Sequence, residues 1–175
     1  MADAGSQRVV VDASVVINLA HAKRLDLLAR IRGFEFIVPD VVVELEVIRE
    51  TQTRSLQEAL TNGWMRQTSV DGDERMTYAE LRKFMGRGEA ACLAIAKNRG
   101  WLLACDDSRR VPSYVRKHLG EGRIVNTPGL LLLAIRLGAL SLDEADSIKA
   151  ILERNRFKMN FKSFRDVVSK SIERA

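Results

Sequence analysis

Residues 8–12 read Arg8-Val9-Val10-Val11-Asp12, and Ala13-Ser14-Val15-Val16-Ile17 follow directly. Three successive β-branched residues closed by an acid lack the apolar–polar alternation of a half-solvated strand. That is the pattern of a short strand covered on both faces of a parallel sheet. From Ser14 the period becomes helical, with Val16, Leu19, Leu25, Leu28 and Ile31 recurring over residues 14–32 and a break expected near His21. A strand that ends in an acid and turns into a helix opens an α/β unit. It sets Asp12 at the carboxyl end of the first strand, where open parallel sheets bind their ligands.

The rest of the chain repeats the alternation. Phe34 to Val38 is a second apolar run, ended by Pro39, which loses no hydrogen bond in the first turn of a helix and so predicts one through Val43, Leu45 and Ile48. A polar helix is expected from Thr51 to Asn62, closed by Gly63, then a candidate short edge strand within Trp64 to Val70 and a turn at Asp71-Gly72-Asp73. Gly86-Arg87-Gly88-Glu89 leads into a helix over Ala90 to Arg99, closed by Gly100, and Trp101 to Cys105 is a strand that stops at Asp106-Asp107. A basic helix over Ser108 to Leu119, a strand over Arg123 to Asn126 and a helix capped by Thr127-Pro128 and running to Leu137 come next. Ser141 with Glu144 is a capping box for a helix to about Glu153, and a last amphipathic helix covers Lys162 to Ile172. Four short apolar strands separated by helices predict an α/β fold, a short parallel sheet flanked by helices over residues 1–140. A helical C-terminal extension, residues 141–175, is expected to pack on the same domain.

Composition bounds the function. A chain of 175 residues, 46% hydrophobic and 29% charged, suits one soluble domain with one core. No apolar run, Leu130 to Ile135 included, comes near the ~20 residues that span a bilayer. No basic-then-apolar leader layout opens the chain, so a membrane or secreted protein is not expected. Cys92 and Cys105 lie in apolar surroundings and read as reduced core residues, which makes the cytoplasm the expected location. The net charge of +5 is uneven: residues 1–96 carry −2, residues 97–140 carry +5 and residues 141–175 carry +2. A basic second half on an acid-rich first half suits a polyanionic partner that also meets carboxylates, although charge alone favours the plainer reading, the solvated surface of a mildly basic protein.

The acids point to chemistry. Asp12 and the pair Asp106-Asp107 fall at strand ends that open on the same edge of the sheet; Glu44 lies in the helix after the second strand, and Glu89 begins the helix feeding the strand before Asp106. Carboxylates drawn together from distant segments repel in a low dielectric, and a divalent cation that prefers oxygen ligands relieves the repulsion. Such an ion lowers the pKa of a water and clamps a phosphodiester for in-line attack, and the basic segment from Arg109 to Lys117 would hold the backbone beside it. Each acid also has a structural reading: Asp12 as a helix cap, Glu44 as a solvated helix residue in the company of Glu46 and Glu50, Glu89 as a dipole-favoured acid, and Asp106 and Asp107 as turn and cap residues. His21 and His118 are both placed away from the acids, and no serine or cysteine has an evident base partner.

With those residues in view, the chain resembles the PIN-domain ribonucleases, and within them the VapC-like toxins. The resemblance runs through Val10-Val-Asp-Ala-Ser-Val-Val-Ile17, Arg24-Leu-Asp-Leu-Leu28, Ile37-Val-Pro-Asp-Val-Val-Val-Glu44, Gly88-Glu-Ala-Ala-Cys-Leu-Ala-Ile-Ala96 and Leu102-Leu-Ala-Cys-Asp-Asp107. It extends to Asn126-Thr-Pro-Gly-Leu-Leu132 and the tail around Glu153-Arg-Asn-Arg-Phe157. It implies a PIN-like three-layer fold and a metal-dependent endoribonuclease, the toxin of a type II toxin–antitoxin pair. Asp12, Glu44 and Glu89 would be its first three acids. Asp107 would be the fourth, with Cys105 where a threonine usually stands, or Asp106 would serve instead. Asp12, Glu89, Asp106 and Asp107 would hold Mg²⁺ or Mn²⁺, and Glu44 would complete the site. Ser14 would steady Asp12, while Arg109 and Arg110 would bind substrate. RNA substrate, a homodimer and a small antitoxin protein are the partners implied, with no membrane. The other readings are a non-catalytic PIN-like module that binds RNA or protein, and a phospho-acceptor receiver, which the single acid after the first strand disfavours.

Overall fold

The computed structural model describes residues 5–172. In chain order the elements are β1 (Gln7–Val11), α1 (Ala13–His21), α2 (Leu27–Arg30), β2 (Phe34–Pro39), α3 (Asp40–Leu45), α4 (Glu50–Thr61), β3 (Arg66–Thr68) and α5 (Glu74–Leu81). Then come α6 (Arg87–Arg99), β4 (Leu102–Ala104), α7 (Arg110–His118), β5 (Ile124–Val125), α8 (Thr127–Arg136), α9 (Leu142–Arg154) and α10 (Phe164–Ile172). The five strands form one parallel sheet in the order β3-β2-β1-β4-β5. Val10 pairs with Ile37 on one side and with Leu103 on the other, so β1 is the central strand.

Side chains alternate across a strand, yet Val9, Val10 and Val11 are all within 1% of full burial, so helices cover both faces of β1. The helix α6 packs on β1, β2 and β4, and its residues Ala90 to Ala96 are wholly buried. Small alanines and Cys92 let it lie close to the sheet. The helix α1 packs against α4, α8 and α9, which ties the C-terminal segment to the first helix. Both cysteines are free and buried. Among the described residues no helix is long and apolar enough to cross a membrane.

Four elements differ from the sequence reading. The expected helix through Ile48 stops at Leu45: the Glu46 and Val47 amides both donate to the Val42 carbonyl, and Ile48 is left 73% exposed. The candidate edge strand is present but only three residues long, and it adds a fifth strand to the four apolar ones. The helix α5 carries no apolar stripe to announce it. It is held by buried Leu81 and by buried Glu74, whose two carboxylate oxygens take Nε and Nη2 of Arg99 while Arg99 Nη1 donates to Thr68 at 2.8 Å. The cap of α8 is Asn126, which accepts from the Gly129 amide at 2.9 Å, rather than Thr127. The Ser141–Glu144 capping box of α9 is present as read, with the Glu144 amide 3.2 Å from Ser141 Oγ.

Candidate active site

The chain runs outward from β1 to β2 and β3, then returns to place β4 on the other side of β1. A crevice therefore opens at the carboxyl ends of β1 and β4, where the two halves of the sheet diverge. Asp12 follows the last residue of β1, and Asp106 lies two residues beyond β4. The groove there has a volume of about 430 Å³, and its lining includes Asp12, Ser14, Asn18, Glu89, Asp106 and Asp107.

Asp12 is 5% exposed and does two things at once. Its Oδ2 caps α1, accepting the Ser14 amide at 3.2 Å and the Ser14 hydroxyl at 2.6 Å, with the Cys105 thiol 3.7 Å away. Its Oδ1 is buried without any hydrogen-bond partner. Ser14 Oγ in turn accepts the Asp106 amide at 3.1 Å, so one hydroxyl joins the two strand ends. Burial, and then the charge of Asp12, push the Cys105 thiol far above its ordinary value, so it stays protonated and offers S–H toward Asp12. The thiol thus occupies the neighbouring position where the resemblance would have a hydroxyl.

Asp106 and Asp107, adjacent in sequence, have different environments. Asp106 receives the Thr127 amide at 2.7 Å on Oδ1, and on Oδ2 the Thr127 hydroxyl at 2.6 Å and the Asn18 amide group at 2.9 Å. Burial raises its pKa, against the lowering effect of those donors. Asp107 caps α7: its Oδ1 accepts the amides of Arg109 at 2.9 Å and Val111 at 3.0 Å. Burial acts to raise its pKa too, but the backbone donors of Arg109, Val111 and Arg110 outweigh it and leave the carboxyl below its ordinary range. Both line the groove; Asp106 is the one held by side chains of two other helices.

Glu89 lies in the first turn of α6 and lines the groove, with Oε2 accepting the Gly86 amide at 3.3 Å. Glycine has no side chain to return that bond, so this is half a capping box. Glu44 is not brought to the groove: it is exposed on α3, and its side chain makes no ion pair or hydrogen bond among the described residues. The early end of α3 turns Glu46 inward instead. Its Oε1 accepts the Gly88 amide at 2.7 Å, and burial raises its pKa against that bond, with Asp12 and Glu89 adding to the rise. A Cβ on residue 88 would stand 2.1 Å from Glu46 Oε2, so glycine is what admits this carboxylate.

Sequence reasoning missed Glu46, Asn18, Thr127 and His21. Ser14, Asn18 and His21 are spaced four and three residues apart along α1, which puts them on one helix face, and that spacing was available. The structure corrects the reading of His21, which lines the acid groove, whereas His118 is exposed on α7 and stacked on Tyr114 at 4.3 Å. Arg109 is exposed with no ion pair among the described residues, and Arg110, also exposed, donates to the Phe84 carbonyl at 3.2 Å.

The donors around the groove are carboxylate, hydroxyl and amide oxygens, the set that suits a hard divalent cation. An unpartnered buried carboxylate oxygen beside further acids fits such an ion, because nothing in the protein neutralises it. Among the described residues, no three His, Cys, Asp or Glu side chains are gathered closely enough to hold a metal as they stand. Mutual repulsion of uncompensated carboxylates opposes closer approach.

A family model described as a PIN domain matches residues 8–175. The crystal structure of PAE2754 from Pyrobaculum aerophilum is similar at 18% identity and a TM-score of 0.49, with 78% of this chain and 94% of that one covered. No curated protein matches the chain.

Proposed function

The chain belongs to the PIN-domain family, whose members are generally nucleases, and from that premise we propose that it is a divalent-metal-dependent endoribonuclease. The observation that carries the metal dependence is the orphaned Oδ1 of Asp12, a buried carboxylate oxygen with no partner from the protein, which a bound cation would satisfy. Asp12, Asp106, Glu89 and Glu46 would hold Mg²⁺ or Mn²⁺, with Asp107 at the margin of the groove. When bound, the ion supplies charge neutralisation at the phosphodiester and activation of a water for in-line attack. The protein's own part is orientation. Ser14 fixes one face of Asp12 so that Oδ1 stays free, and Thr127 and Asn18 fix Asp106. Arg109 and Arg110 would hold the substrate backbone next to Asp107.

Purified protein incubated with a pool of structured and single-stranded RNA is expected to cut with Mg²⁺ or Mn²⁺ and to stop in EDTA. Cutting that persists in EDTA would refute the metal dependence, and metal-independent RNA retention without cuts would leave a binding module. The finer reading, a type II toxin that dimerises and is restrained by a small antitoxin, is supported by the sequence resemblance to VapC-like proteins. Growth arrest on expression, relieved by the product of a neighbouring small gene, is its test.

Gly88→Ala separates Glu46 from the fold. The clash falls on the terminal carboxylate of a flexible side chain, which can swing away at the loss of its bond to the residue 88 amide, so the stability change is expected to stay near 1 kcal/mol, while cleavage falls ~10–100-fold, about 1.4–2.7 kcal/mol in the barrier. Glu46→Gln should reproduce the loss and Glu44→Gln should not. Equal rates for wild type and Gly88→Ala, with a melting curve unchanged, would remove Glu46 from the site.

A further inference from the structure

The groove continues past the carboxylates. Ile17, His21, Asn155 and Arg156 border it and also border a second hollow of about 590 Å³ between the end of α1, the start of α4 and the turn after α9. Arg49, Arg154 and Arg156 line this hollow, and Glu46 is the one acid in its described lining.

All three residues are exposed, and their guanidinium groups make no ion pair or hydrogen bond among the described residues. Elsewhere Arg8, Arg24, Arg54, Arg66, Arg75 and Arg99 each face a carboxylate within 4 Å, and Arg32, Arg109, Arg110 and Arg136 face none among the described residues; what sets Arg49, Arg154 and Arg156 apart is that they gather around one hollow. Three uncompensated cations around one concavity focus a positive potential there and raise the local concentration of anions. Arg156 is set by a left-handed backbone, φ 68°, one of two described non-glycine residues with positive φ. Gln52, 5% exposed, hydrogen-bonds His21 Nε2 at 3.0 Å, and the remaining ring nitrogen of His21 is buried without a partner. The first turn of α4, which begins after Arg49, has no side-chain cap.

We propose that this hollow is a phosphate subsite that holds the backbone of a single RNA strand next to the phosphodiester presented to the acids, with Arg49, Arg154 and Arg156 as its contacts. The identity of the strand rests on the nuclease reading; the anion subsite rests on the hollow and its unpaired arginines. Guanidinium forks match phosphate oxygens, and contacts of this kind set position and register without reading sequence. The subsite adjoins one end of the acid groove, so it fixes which way the strand runs past the metal-binding carboxylates.

The test is binding without cleavage. A short fluorescein-labelled single-stranded oligoribonucleotide is titrated with full-length protein in EDTA, across roughly 50 to 200 mM KCl, and anisotropy is read. Each phosphate contact to a single strand contributes about 0.7 to the slope of log K against log salt, so the triple variant Arg49→Gln, Arg154→Gln, Arg156→Gln should lower that slope by about 2 and weaken low-salt binding at least tenfold. Arg32→Gln with Arg136→Gln, equally exposed and outside both hollows, should leave the slope unchanged. A triple variant that binds like wild type, or that binds no worse than the control pair, overturns the subsite while metal-dependent cleavage by wild type still stands. Arginine-dependent binding by a protein that cuts nothing with either metal upholds the subsite and refutes the nuclease.

Discussion

Replacing Asp12 by Asn is expected to abolish metal-dependent RNA cleavage and, in the same molecule, to raise the melting temperature of the metal-free protein. The first effect follows from removing the charge that would bind the ion: a loss of at least ~10³-fold, about 4 kcal/mol in the barrier. The second follows from what Asp12 costs the fold. Its Oδ1 is buried and unpartnered, and Glu46, Glu89 and Asp106 lie in the same field. Asparagine keeps an oxygen for the Ser14 amide and hydroxyl and is as good an N-cap, but carries no charge. A gain on the order of 1 kcal/mol would shift Tm up by roughly 2–4 °C at this chain length. Thermal melts in EDTA, beside cleavage assays in Mg²⁺, read both effects. A destabilised Asp12→Asn protein that still cuts would show that Asp12 is a structural cap and no more. The opposite signs are the signature of a functional site, where binding chemistry is kept at the expense of stability.

Phe164→Ala is expected to be the most damaging single change outside the groove. Phe164 is fully buried at the start of α10, meets the Phe161 ring edge-on at 4.9 Å, and donates its amide to Asp146 Oδ1 at 2.8 Å, while the Ser163 hydroxyl takes Oδ2 at 2.6 Å. Deleting a buried phenyl ring leaves a cavity and costs about 3–5 kcal/mol, on the order of 10 °C in Tm. The way the protein melts bears on its organisation. With residues 141–175 part of one domain, Phe164→Ala should lower a single cooperative transition. A separate low-temperature transition, with the acid groove intact until the second, would mean that the C-terminal helices fold as their own unit.

The valines of β1 show why so much of the fold was legible. Burial on both faces leaves a mark that needs no partner to read, because every side chain in such a strand must be apolar. The alternation with helices then leaves few topologies open. Capping is equally local: the Ser141 and Glu144 bonds lie within one turn. The helix α5 shows the limit. Besides the buried Leu81, it is anchored by Glu74 meeting Arg99 across 25 residues, and no local pattern encodes a partner that distant.

The same division runs through the site. From the sequence alone came the parallel sheet, the acid after β1, the acids after β4 and the acid opening α6, because strand ends and helix starts are one-dimensional features and the carboxyl edge of a parallel sheet is where its loops converge. Only the tertiary structure decided which acid of Glu44 and Glu46 turns inward, since that depends on where α3 stops and on a glycine 42 residues away in α6 that leaves room for a carboxylate. It also decided between Asp106 and Asp107, neighbours in sequence whose oxygens were claimed by Thr127 and Asn18 in one case and by the backbone of α7 in the other. Hydrogen bonds and steric room are set by atoms within a few ångströms, and in a folded chain those atoms come from segments that no periodicity relates.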